Sequence, residues 1–275
     1  LFERGVLTLK DTDGLEMTWG NVEAARGLLR NIAHRHGLGN ILAEGAKRAA
    51  ERLGKDAKET MIYTMKGNSP RTHDHRLRWI ELMESCVSNT GTLEADVMAA
   101  GPQLGVEPIK DGFNGLEVST YLGKIKGSFS FVDSLGICKF ANREVRALQV
   151  KMLNAATGWD YTWEEAMQMG RRVVNLMRAY NIQCGLGSEV EAPGPRYGST
   201  PTDGAAQGKS IRPVWPDMLR NYHTVMGWDP ATGKPTPETL RSLGLEEVIP
   251  QLWGRLELRE ETSARSFLRN AVADK

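Results

Sequence analysis

The chain has 275 residues, 40% hydrophobic and 25% charged, with 29 Gly and 12 Pro, a globular composition that excludes disordered and fibrous classes. Its 35 Lys and Arg nearly cancel 34 Asp and Glu, for a formal net charge of +1, so no overall field favours nucleic acid or an acidic membrane surface. Cys86, Cys138 and Cys184 are far apart and form no CxxC, which argues against a disulfide framework or a self-contained zinc site and for a reducing, cytoplasmic setting.

The N-terminal LFERGVLTLKD has no initiator Met, basic n-region or long apolar run, so it reads as neither signal peptide nor membrane anchor but as the interior of a longer protein. DTDGLE (Asp11 to Glu16) offers three carboxylates and a Gly, yet Val22 stands where a calcium loop needs its twelfth-position acid. It therefore reads as a turn with Asx-type hydrogen bonds. Asn21 is the expected cap of a helix carrying Val22, Ala25, Leu29, Ile32 and Ala33 on its apolar face. After an HGLG turn, Asn40 is the expected cap of a second helix with Ile41, Leu42, Ala46, Ala49 and Leu53, closed by Gly54. MIYTMKG (Met61 to Gly67) is the best strand signal, or a buried extended segment. A helix is expected from Arg143 to Ala156. Thr162 and Glu165 form a capping box ahead of Met169, Val173, Val174, Met177 and Tyr180. Residues 185–215 are rich in Gly, Pro, Ser and Thr without periodicity, a long loop that covers something or has a task. Helices follow from Pro216 to Met226 and from Thr236-Pro237 to Gly244, and the C-terminal ELREETSARSFLRNAVADK reads as a charged helix or tail. The class is mainly α.

Three segments carry possible chemistry. GAAQGKS (Gly204 to Ser210) has three residues between its glycines instead of four and no strand before it, so it fails as a P-loop. THDHR (Thr72 to Arg76) sets His73 and His75 beside Arg71, Arg76 and Arg78. No third metal ligand is near, and the His–Arg mixture suits proton delivery or an anionic ligand such as a phosphate. Cys138, in DSLGICKF, is by spacing alone a core thiol or a single ligand, because an iron–sulfur cluster takes about four thiolates.

Several blocks resemble the C-terminal half of the tungsten-dependent aldehyde ferredoxin oxidoreductases: LFERGVLTLKDTDGLEMTWGN, ILAEGAKRAAERLG, KGNSPRTHDHR, DSLGICKF and YHTVMGWDPATGKPTPETLRSLGL. The most specific is DSLGICKF, which matches that family's D-x-x-G-(L/I)-C-x-F. The resemblance implies the multihelical C-terminal domains of that family, with residues 1–60 as the remainder of a middle domain and residues 61–275 as the C-terminal domain. It further implies that Asp133, Gly136 and Ile137, with Lys139, contact one half of a tungsten (or molybdenum) bis-pyranopterin. Cys138 would be the fourth ligand of a [4Fe-4S] cluster whose other cysteines precede Leu1. The motif is physically coherent: Asp accepts from pterin N–H donors, Gly admits a ring close to the backbone, and an adjacent thiolate brings the cluster near the pterin.

Departures from the family matter as well. SNTGTLEAD (Ser88 to Asp96) keeps Ser88, Asn89 and Gly91 of the family's S-N-R-G-A-C-H-type block, but Thr90, Glu94 and Asp96 stand where that block has an Arg, a His and a basic residue. This pattern is similar to the branch containing the tungsten subunit of benzoyl-CoA reductases. It implies reduction of an aromatic acyl-CoA at low potential, with Glu94, His73 and His75 as acid–base groups, THDHR serving CoA phosphates or a proton path, and ferredoxin or an iron–sulfur subunit supplying electrons within a homodimer or larger complex. Aldehyde oxidation with ferredoxin as acceptor is the second expectation, and a cofactor-free helical scaffold or interaction subunit the third. Neither nucleic acid nor a membrane span is expected.

Overall fold

In the computed structural model Asn21 caps α1 (Val22–Ala33), its side chain accepting from the Ala24 N–H at 3.0 Å. The structure describes residues 1–254 apart from 70–72, 92, 96, 98–99 and 139–145, so the expected C-terminal helix or tail lies wholly outside the described residues. The single helix expected after Asn40 is two: α2 (Leu38–Leu42) and α3 (Ala46–Leu53). Gly45 between them has φ +86°, a left-handed conformation that ends the hydrogen-bond ladder. Asn40 lies inside α2, where its side-chain oxygen accepts from Arg35. A short α4 (Lys55–Thr60) follows.

MIYTMKG forms no strand. It is an extended segment that zips onto the long loop: Thr64 bridges Pro193, the Met65 N–H donates to the Ala192 carbonyl at 2.9 Å, and the Gly194 N–H to the Tyr63 carbonyl at 3.1 Å. The pattern was apolar enough for a strand, but only one neighbour offers backbone groups to it.

The main core is built by α5 (Trp79–Val87), α7 (Gly115–Ile125) and α11 (Trp215–Met226), with a short α6 (Ala100–Gln103) beside α7. Leu82, Met83, Val118, Leu122, Met218 and Tyr222 are buried within it, and Tyr197 and Ile211 of the long loop complete it. That loop therefore does cover something. α8 (Ser128–Ser134), α9 (Arg146–Thr157) and the start of α10 (Trp163–Gln183) enclose a second cluster around Phe131, Val132, Val150 and Ala166. α10 opens with the expected capping box, Thr162 and Glu165 each accepting from the other's backbone. Its far half packs on α12 (Pro237–Ser242) and α13 (Ile249–Trp253) through Ala179, Leu240 and Leu252. The fold is thus mainly α, and no described helix is long and apolar enough to cross a membrane.

Candidate functional site

Two charged clusters lie inside this helical frame. In the first, the Lys126 ammonium sits 2.8 Å from both Glu84 and Glu94, all three side chains essentially inaccessible. The other Glu84 oxygen accepts from the Glu94 and Ala95 N–H groups at 2.6 and 2.9 Å. The other Glu94 oxygen accepts from the Asn89 and Thr90 N–H groups at 2.7 and 3.0 Å. Burial alone pulls the Lys126 ammonium toward its neutral form, but the two carboxylates outweigh it and hold the group above its usual range.

In the second cluster, Arg178 grips both oxygens of Glu191 at 2.7 and 3.0 Å, and His223 Nε2 lies 3.1 Å from one of them. Lys66 stands 3.5 Å away. Burial pushes the Glu191 carboxyl up, and against it the His223 hydrogen bond, the Arg178 charge and Lys66 bring it down to about 2. Lys66 itself is lowered, because burial outweighs the help of Glu191. The Arg178 guanidinium also lies 4.7 Å over the Trp228 ring. Charges this deep are tolerated only when paired and hydrogen-bonded, and here each carboxylate has a cation.

The first cluster leads directly to the DSLGICKF turn. Ala95 bridges Lys126, and the Glu94 carbonyl accepts from the Gly127 and Phe129 N–H groups, so this segment closes the N-terminus of α8. Gly127, at φ +99°, lies against the backbone of Gly170 in α10, and a side chain at Gly170 would collide with the Gly127 carbonyl. With both ends of that contact fixed, α8 is held rigidly. Seven residues long, it spans about 10 Å and delivers Asp133, Gly136, Ile137 and Cys138 at its far end.

The side chains of that turn divide by direction. Ile137 packs on the Phe131–Val132 cluster, while Asp133 and Cys138 are exposed. Gly136 has φ +69°, and nothing lies within 4 Å of where a Cβ would stand, so the backbone there is open to a flat ligand. Lys139 and Asp96 lie outside the described residues. Cys86, by contrast, is fully buried and its thiol is pushed up by burial, which makes it inert as a ligand. Cys184 is exposed. Among the described residues no three His, Cys, Asp or Glu side chains are grouped to hold a metal.

His73 and His75 sit elsewhere, beneath the long loop. His73 is exposed, and its ring centroid lies 6.2 Å from that of His75. His75 is buried, stacked at 5.6 Å on Tyr197, with Nε2 3.6 Å from Glu81, whose other oxygen takes a hydrogen bond from Arg78. Asp74 is clamped by Arg76, whose hydrogen bond holds its carboxyl below the usual range. The buried residues Glu84, Lys126, Arg178, Glu191 and His223 escaped the sequence reading. A signal existed in WIELMESCV and YLGKIKG, where single charges interrupt apolar helices, but a lone charge does not announce its partner.

Comparison with known proteins bears on these features. The model of the aldehyde ferredoxin oxidoreductase family, domains 2 and 3, matches residues 1–245. The chain is 29% identical over 266 residues to a tungsten-containing aldehyde ferredoxin oxidoreductase of Pyrococcus abyssi and 30% identical over 257 residues to that of Pyrococcus furiosus, each match covering 90% of this chain and 41% of the relative. It is 27% identical to the WOR-like subunit of an aliphatic sulfonate oxidoreductase of Pyrococcus furiosus, covering 90% of this chain and 38% of that subunit. The chain therefore spans about two fifths of the length of the curated relatives it matches. Among solved structures, the fold is similar to a chain of the active-site complex BamBC of benzoyl-coenzyme A reductase with 1,5-dienoyl-CoA, at a TM-score of 0.59 and 20% identity, covering 99% of this chain and 44% of that one.

Proposed function

Because this chain belongs to the aldehyde ferredoxin oxidoreductase family, of which it carries domains 2 and 3, we propose that it is part of a tungsten-bispyranopterin, [4Fe-4S] oxidoreductase. The observation that carries this reading is the turn after α8, which presents an exposed carboxylate, an open glycine backbone and an exposed thiol on a rigid support. These residues fit one share of such a site. Asp133 accepts from pterin N–H groups, Gly136 with Ile137 offers backbone, Cys138 gives one thiolate, and Lys139 adds a cation. A cluster of this kind takes about four thiolates, of which Cys138 would be one. When bound, the metal–pterin centre exchanges electrons with substrate and the cluster passes them one at a time.

The chain's own residues would position and protonate. Glu94 and the His73–His75 pair are the acid–base groups we assign, and the long loop over His75 keeps water from it. We assign residues 1–60 to the remainder of the middle domain and residues 61–275 to the C-terminal domain. For the substrate we favour reduction of an aromatic acyl-CoA, supported by the exchange of the family's cations for Thr90 and Asp96 and by the fold likeness to the benzoyl-CoA reductase complex. Aldehyde oxidation is the second reading, favoured by 29–30% identity to aldehyde oxidoreductases. Ferredoxin or an iron–sulfur subunit is the electron partner in either case, in an anaerobic cytoplasm.

Metal analysis and visible spectroscopy of the full-length protein test the cofactor reading: tungsten and iron in fixed ratio support it, and their absence ends it. Cys138→Ala should lose iron while folding normally. Anaerobic turnover of an aromatic acyl-CoA is expected, whereas turnover of aldehydes alone would overturn the substrate preference. Glu94→Gln should lower turnover per bound tungsten, and an unchanged value removes Glu94 from the chemistry.

A further inference from the structure

Away from the α8 turn, the long loop builds a second concavity that none of the readings above uses. A cavity of about 510 Å³ is lined by Arg4, Arg196 and Arg212 together with the hydroxyls of Ser199, Thr200 and Ser210, a size suited to a small ligand. Three guanidinium groups converge here against a single carboxylate, Glu59. Arg196 feels the charge of Asp74 without a described salt bridge to it, and Arg4 makes a 3.4 Å contact with Thr60. Guanidinium groups around one hollow attract an anion, and their planar fork matches phosphate oxygens two at a time.

The loop that carries them is set in place. Tyr197 is buried and donates to the His73 carbonyl at 2.8 Å. Ile211 and Ala206 are buried as well, and the Gly208 N–H closes on the Pro201 carbonyl at 3.0 Å. The GAAQGKS segment, which fails as a P-loop, here supplies that closing turn and Ser210. Arg212 lies across Gly198, where a Cβ would come within 3.0 Å of Nη2 and 3.2 Å of Nε. Ser199 donates to the Arg196 carbonyl and accepts from Arg76, which ties the loop to the His73–Arg76 segment. The backbone that carries Arg196 and Arg212 thus needs little ordering when a ligand arrives, which favours binding.

We propose that this cavity binds a diphosphate group. The acyl-CoA reading supplies one source, the diphosphate of coenzyme A, and a free nucleoside diphosphate is the other; the proposal rests on that reading only for the choice between them. Calorimetric titration of the full-length protein with pyrophosphate, ADP and coenzyme A at low ionic strength tests it. All three should bind, and the Arg196→Gln/Arg212→Gln variant should weaken pyrophosphate binding about tenfold or more, as loss of charge-assisted contacts dictates. Glu59→Gln should strengthen it about two- to threefold, on the scale of one exposed charge. Coenzyme A bound more tightly than ADP identifies the acyl-CoA as source, and equal affinities identify a free nucleotide. Absence of pyrophosphate binding, or binding indifferent to the double substitution, overturns the site. Turnover of aldehydes alone would remove the acyl-CoA reading while leaving this binding intact.

Discussion

Glu84 and Asp133 are both helix carboxylates, and their surroundings are opposite. Glu84 is inaccessible and takes hydrogen bonds from Lys126, Glu94 and Ala95, whereas Asp133 is exposed at the end of α8 and its carboxylate meets no described hydrogen-bond donor. The two are mechanically joined, since the Glu84–Lys126–Glu94 cluster fixes one end of α8 and the turn lies at the other. Buried charge that is ion-paired and hydrogen-bonded holds the chain in one arrangement, while the carboxylate of Asp133 stays at the surface. The comparison therefore separates residues expected to hold the fold from residues we assign to the cofactor.

Substitution can break this contrast or sharpen it. Lys126→Met leaves two buried carboxylates facing each other and should cost about 3–5 kcal/mol, the scale for breaking a buried ion pair; denaturant titration measures it. Part of that loss should return in the Glu84→Gln/Lys126→Met/Glu94→Gln triple variant. A Lys126→Met cost under about 1 kcal/mol, the range of an exposed pair, would show the cluster to be wet and the contrast false.

Glu191→Gln leaves buried Arg178 without its counter-charge and keeps one acceptor oxygen of the two that Arg178 uses, so its cost should be on the same scale, about 3–5 kcal/mol. Its diagnostic is pH. With the folded carboxyl held at about 2 against an ordinary 4.5, the wild type gains stability from this group above pH 4.5 and loses it as pH falls toward 2. Stability curves of wild type and Glu191→Gln should therefore converge through that window.

Gly136→Ala forces a side chain into φ +69° and should cost about 1–2 kcal/mol, with a larger loss of bound metal. Cys138→Ala comes last for stability, within about 0.5 kcal/mol as for other surface sites, yet it should remove the iron. Equal effects of Cys138→Ala and Lys126→Met on folding would erase the distinction between the two regions.

Helix starts were readable where a local side chain does the work: Asn21 for α1, Thr162 with Glu165 for α10, and Thr236 with Pro237 for α12. Asn40 misled, because a cap residue looks the same whether it begins a helix or lies within one. The helix starts earlier, at Leu38, with Gly39 packed against the Asn31 backbone. MIYTMKG left a strand and a buried extended segment both open, since extended apolar sequence does not reveal whether a second strand exists, and the fold has the extended segment. The long loop was legible as a loop, but Tyr197 and Ile211 enter the core from it without any periodicity to mark them.

By itself the sequence determined the helical class and the family, because caps, apolar spacing and short motifs are written in neighbouring residues. Tertiary structure alone decided which charges are buried and with whom. Lys126 meets Glu84 across 42 positions, and Arg76 meets Ser199 across 123. No local pattern encodes such pairs. They follow from helices closing over a shared core, where a charge is stable only if its partner arrives with it.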